Sequence, residues 1–144
     1  MKKTLFVILL VFIATACSKE EKISRNLWKQ NGTWNVESYY HKIGSEETFI
    51  LESTIIEYGS ILFYKNGTGL QVFGNGGYEA SSFFTYTHTE EQLIIVFDDS
   101  NHNEWVYDMD WKKNEMRLSY DKTAVKSNGY LYYNIEKMHL KKKK

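Results

Sequence analysis

The 144-residue sequence predicts an all-β domain: an antiparallel up-and-down barrel of about eight strands. Three observations lead there. Short segments of alternating apolar and polar residues recur along residues 34–140, separated by turns rich in glycine, asparagine or acids. Proline is absent, so no position forbids the interior of a paired strand. Aromatic residues are plentiful, and 11 Tyr, 8 Phe and 4 Trp supply much apolar area per side chain. Such strands suit a barrel or a sandwich. Closure into a barrel would remove the exposed edges that aromatic strands otherwise present.

The elements follow in order. Trp34, Val36, Ser38 and Tyr40 share one face of an extended segment, opposite Asn35, Glu37, Tyr39 and His41. Gly44 to Glu47 reads as a turn, and residues 48–58 as a strand of mixed period. Residues 60–64 and 69–73 flank Lys65-Asn66-Gly67-Thr68, where Asn-Gly predicts a hairpin with a type I′ turn. A glycine-rich loop follows at Gly74, Gly76 and Gly77. Strands are expected at residues 81–88 and 93–97, then a polar loop at residues 98–103.

The cleanest alternation spans residues 104–112. Trp105, Tyr107, Met109 and Trp111 share one face, and Val106, Asp108, Asp110 and Lys112 the other. The first four therefore face inward and are the candidate wall of a ligand cavity; a solid core is the equal alternative. Residues 115–120 return. In the last strand Leu131, Tyr133 and Ile135 change phase to Met138 and Leu140, which a bulge near Glu136-Lys137 would explain. No segment carries a convincing helical period.

The N-terminus is of another kind. Lys2 and Lys3 precede an apolar run over residues 5–14, which is shorter than the roughly 20 residues a membrane span needs. Ala14-Thr15-Ala16-Cys17 then resembles the lipobox of bacterial lipoproteins, with alanine where leucine is most usual. The resemblance implies cleavage before Cys17, a diacylglyceryl thioether on its sulfur and a further acyl chain, such as palmitate, on its amine. Several chains are what stable anchoring requires. Ser18-Lys19-Glu20-Glu21 resembles the export signal of surface lipoproteins in some Gram-negative bacteria. The implied location is the outer membrane, displayed at the cell surface; a periplasm-facing anchor is the alternative. The resulting division is a signal peptide at 1–16, a lipidated tether at 17–26, a barrel domain at 27–140 and a basic tail at 141–144.

The domain has its own resemblance. Gly32-Thr33-Trp34 resembles the Gly-x-Trp signature that opens the lipocalin barrel, and residues 63–69 resemble the glycine-rich hairpin of lipocalin-like lipoproteins. This implies that Gly32 and Trp34 close one end of the barrel and that the interior binds a small apolar or amphipathic molecule. The alternative is a protein-interaction module with a solid core: an accessory subunit, inhibitor or immunity-type lipoprotein. Its patch of exposed aromatics would include Tyr39, Tyr64 and Tyr133.

Other chemistry finds little support. The 18 basic and 18 acidic side chains balance, and losing Lys2 and Lys3 leaves a slight acid excess, which argues against nucleic acid as a partner. With Cys17 acylated, no thiol remains for a disulfide, metal ligation or thiolate catalysis. His41, His88, His102 and His139 lack metal-site spacing. Residues 99–104 offer alternating oxygens but place Glu104 where a calcium loop needs glycine. No nucleophile elbow or phosphate loop is present. The expectation is a non-enzymatic binder without cofactor or metal.

Overall fold

The computed structural model describes residues 18–74, 79–99 and 102–144. The expected signal peptide, Cys17, and Gly76 and Gly77 of the glycine-rich loop lie outside these residues. A helix α1 (Lys19–Trp28) and a short 3₁₀ turn (Gln30–Gly32) lead into ten strands. These are β1 (Thr33–Ser45), β2 (Ile50–Ile56), β3 (Gly59–Phe63), β4 (Thr68–Phe73) and β5 (Ala80–His88). They continue with β6 (Gln92–Phe97), β7 (Glu104–Lys112), β8 (Glu115–Asp121), β9 (Ala124–Val125) and β10 (Leu131–Lys142).

All pairings are antiparallel, and neighbours follow the order β1-β3-β4-β5-β6-β7-β8-β10. β10 then pairs back onto β1, from Trp34↔Lys142 to Ser45↔Tyr132, so the sheet closes into the eight-stranded up-and-down barrel expected. Two strands extend the walls. β2 pairs with the far half of β1 and β3 with its near half, in one lane kinked at Glu57 and Gly59, both at positive φ. Gly59 is required there, since a Cβ would come within 2.0 Å of the Val72 carbonyl oxygen. β9 continues the lane of β8 beside β10. Together β2, β1, β10 and β9 form an arm that projects past the barrel's mouth.

One end of the barrel is solid. Trp34, Phe63, Ile61, Met116, Leu118 and Leu140 are fully buried there. That end is sealed by α1, which corrects the expectation that no segment is helical. Ser18 caps the helix, its hydroxyl accepting from the Glu21 amide at 3.2 Å, and Glu20 and Glu21 lie at the positive end of the dipole. Ile23 and Leu27, one turn apart, are completely buried, each worth roughly 1.5–3 kcal/mol of apolar burial. α1 reaches from the β5–β6 turn to the β7–β8 turn. Lys19 pairs with Glu90 at 3.3 Å, the Ser24 hydroxyl meets His88 at 2.6 Å, and the Asn26 amide donates to the Lys113 carbonyl. Among the described residues no helix is long and apolar enough to cross a membrane.

The basic tail is also part of the barrel. Lys142 ends β10 buried, its ammonium 4.9 Å from the centre of the Trp34 ring and donating to the Asn26 carbonyl. Burial, reinforced by Lys29, lowers its pKa to about 8.

Three local expectations change. The hairpin at Asn66-Gly67 forms, but Gly67 alone has positive φ; Tyr64 and Thr68 bracket a three-residue loop, with Gly67 donating back to the Tyr64 carbonyl at 3.2 Å. This is a type I turn followed by a left-handed glycine rather than type I′. The Asn66 side chain favours it by accepting from both the amide and the hydroxyl of Thr68. In β1 the register against β10 shifts between Val36 and Ser38, so Tyr39 follows Trp34 and Val36 inward and Tyr40 turns out to Glu52. β10 carries no bulge: its register with β8 is unbroken from Ile135↔Asp121 to Lys141↔Glu115. Its inward series runs Glu136, Met138, Leu140, Lys142, and a carboxylate lies inside the barrel.

Candidate functional site: the open end of the barrel

Away from α1, the interior widens into a cavity of about 410 Å³ at the barrel's mouth. The strand ends explain it. β4 turns Gln71 and Phe73 inward, β6 Phe97, β7 Trp105 and Tyr107, β1 Tyr39 and β10 Glu136, while Asp98, Asp99 and Asn103 rim the opening. Alternation along each wall sets the inward residues, so the cavity follows from which side chains fall near the mouth.

Glu136 is the polar centre. Tyr39 donates its hydroxyl to one carboxylate oxygen at 3.1 Å, and Tyr107 donates to the other at 2.9 Å. Burial first, then the charge of Glu136, pushes both phenols well above the ordinary tyrosine range. They therefore remain donors at any physiological pH. The aromatic walls support one another: Tyr58 stacks on Tyr39 at 4.9 Å and on Phe73 at 4.7 Å, and Trp105 lies 4.6 Å from Tyr120 and stacks over Tyr107 at 6.4 Å. Rings locked by their neighbours present fixed faces at low entropic cost.

The four residues of the inward face of β7 divide. Trp105 and Tyr107 line the cavity. Met109 lies deeper, 7% exposed, and fills the core. Trp111 sits at the opposite, closed end, where Lys22, Arg25, Lys29 and Lys113 border the same shallow groove. The face was read correctly, but a strand of nine residues is longer than the cavity is deep. Gly32 and Trp34 lie at the closed end. A Cβ on Gly32 would come within 1.9 Å of the Phe63 carbonyl oxygen, and the Trp34 indole N–H donates to the Leu27 carbonyl at 3.0 Å.

Sequence reasoning missed Tyr39, Gln71, Phe73, Phe97 and above all Glu136. A signal existed for the last: counting back from Leu140 and Met138 in steps of two arrives at Glu136 without any bulge. Nothing in the sequence marks the β1 irregularity that brings Tyr39 inside, and it removes Tyr39 from the expected exposed patch. Among the described residues, no group of three or more His, Cys, Asp or Glu side chains is placed to hold a metal ion.

The chain is similar to a lipocalin-like protein from Bacteroides uniformis ATCC 8492 whose crystal structure is solved, with 13% identity and a TM-score of 0.47, over 77% of this chain and 96% of that one. No protein-family model matches the chain, and no curated protein does.

Proposed function

We propose that this chain is a lipid-anchored outer-membrane lipoprotein whose lipocalin-like barrel binds a small amphipathic molecule at its mouth, without catalysing a reaction on it. The observation that carries the binding reading is the cavity of about 410 Å³, within the size range of small-molecule sites, where aromatic walls surround the Tyr39–Glu136–Tyr107 cluster. Burial against Trp105 and Phe73 would drive binding, and the polar cluster would orient the ligand.

The anchor reading rests on Ala14-Thr15-Ala16-Cys17, and the fold gives it a direction. Cys17 directly precedes Ser18, the cap of α1, and α1 lies across the closed end. With a lipid on Cys17, the closed end would face the membrane and the mouth would turn away from it. Surface display follows from the Ser18–Glu21 signal, whose residues also form the helix's first turn.

Native mass spectrometry of the mature chain from its host tests the binding reading. A bound mass that disappears on denaturation is expected, and Trp105→Ala should weaken binding at least about tenfold. A bare protein, with no loss on Trp105→Ala for any ligand supplied, would refute it. Cys17→Ala should abolish labelling by a fatty-acid analogue and release the protein from membranes; retained labelling would refute the anchor.

A second reading, a protein-interaction module, is favoured by the arm. Phe49 is 70% and Leu51 50% exposed there, beside a β2 edge that pairs with no strand among the described residues.

A further inference from the structure

Resting on the mouth being a binding site, we infer that its ligand is a cation: an organic ammonium carried on a small apolar body. The charges around the cavity are of one sign. Glu136 stands in the wall and Asp98 and Asp99 at the rim, and no Lys, Arg or His lines the cavity among the described residues. The nearest histidines, His41 and His102, border adjoining depressions.

Glu136 is the deciding group. Among the described residues it forms no ion pair with Lys or Arg, although the chain uses such pairs elsewhere, as at Lys42–Glu52 and Lys141–Glu37. Its two hydrogen bonds come from neutral phenols, one to each oxygen. A carboxylate offers about four acceptor positions, so both oxygens keep capacity for another donor. The phenols orient the negative charge and leave it uncompensated.

The walls favour the same ligand. Tyr39, Phe73, Phe97, Trp105 and Tyr107 line the same cavity as the carboxylate, and aromatic faces attract an ammonium within about 6 Å of a ring centre. An anionic amphiphile would place like charge beside Glu136 in a site partly screened from water. A neutral one could at most donate a hydrogen bond to the carboxylate and would leave its charge uncompensated. Only a cation gains from both the rings and the charge.

The test uses three matched probes, octylammonium, octanol and octyl sulfate, titrated below micelle concentration into the mature chain and followed by tryptophan emission. The ammonium should bind at least about tenfold tighter than octanol, and octyl sulfate weakest, a ratio in keeping with combined cation–π and Coulomb attraction. Glu136→Gln should bring the ammonium to within about threefold of octanol. If all three probes bind alike, or the sulfate best, the charge inference is overturned and the binding site stands. If none binds, the binding reading itself falls. Should Glu136→Gln lose its fold by near-UV circular dichroism, Asp98→Asn at the exposed rim replaces it. That variant should weaken the ammonium two- to threefold and flatten its salt dependence, and an unchanged ammonium affinity would count against the inference.

Discussion

Leu27→Ala probes the seal between α1 and the barrel, and its cost can be worked from the contacts. Leu27 is fully buried beside Ile23, and its carbonyl accepts the indole N–H of Trp34, also fully buried. Removing three side-chain carbons loses their transfer energy and leaves a void that a close-packed core closes only in part. The expected loss is about 2–5 kcal/mol, a large fraction of the roughly 5–15 kcal/mol that holds a domain together. Trp34→Phe keeps most of the ring but leaves the Leu27 carbonyl unpaired, for about 1–3 kcal/mol from the polar group alone. The two residues touch, so the double variant should lose less than the sum. Lys19→Ala is the control: its pair with Glu90 is exposed and should matter by less than about 1 kcal/mol. Urea unfolding reads all of these as midpoint shifts at constant slope. A Leu27→Ala cost within about 0.5 kcal/mol of zero, the range of surface substitutions, would mean that α1 is not docked and that residues 19–28 are a tether after all.

Two further outcomes are expected. Gly69→Ala would set a Cβ 2.1 Å from the Phe84 ring and 2.5 Å from the Leu62 carbonyl oxygen. It should cost about 1–3 kcal/mol, and Phe84→Leu in the same chain should recover part of that; a recovery of zero would show that the ring is not the obstacle. Stability should also rise as pH climbs from about 8 toward 10, because the unfolded chain still holds the Lys142 proton that the fold has released. Above pH about 10 the slope reverses, since Tyr39 and Tyr107 keep protons in the fold that unfolded tyrosines lose. A urea midpoint measured from pH 7 to 11 checks both limbs. Lys142→Met should flatten the first limb, and a first limb that survives this change would assign it elsewhere.

The fold was legible because a barrel wall separates a wet face from a dry one, and β7 shows that alternation in full from Trp105 to Trp111. α1 was not legible because it docks through only two buried apolar residues, Ile23 and Leu27, too few to establish a helical period among eight mostly polar neighbours. Its cap was nonetheless present: Ser18 followed three residues later by Glu21 is a helix-start pattern. The same four residues also resemble an export signal, so one pattern concealed the other.

The remaining misreadings converge on the cavity. Reading β10 as bulged assumed that the interior must be apolar, and reading β1 as regular placed Tyr39 outside. Both errors removed a member of one cluster, Glu136 in the first case and its donor Tyr39 in the second. A barrel selected only for stability would continue Leu140 and Met138 into another apolar residue at 136, because a carboxylate set among rings costs desolvation that two phenols offset only in part. Where apolar periodicity fails at an inward position while backbone register continues, apolar packing does not account for the residue, and the proposed binding role would. Glu136 meets that condition. Its amide variant therefore separates the two demands: Glu136→Gln should leave the barrel at least as stable while removing its preference for a cation.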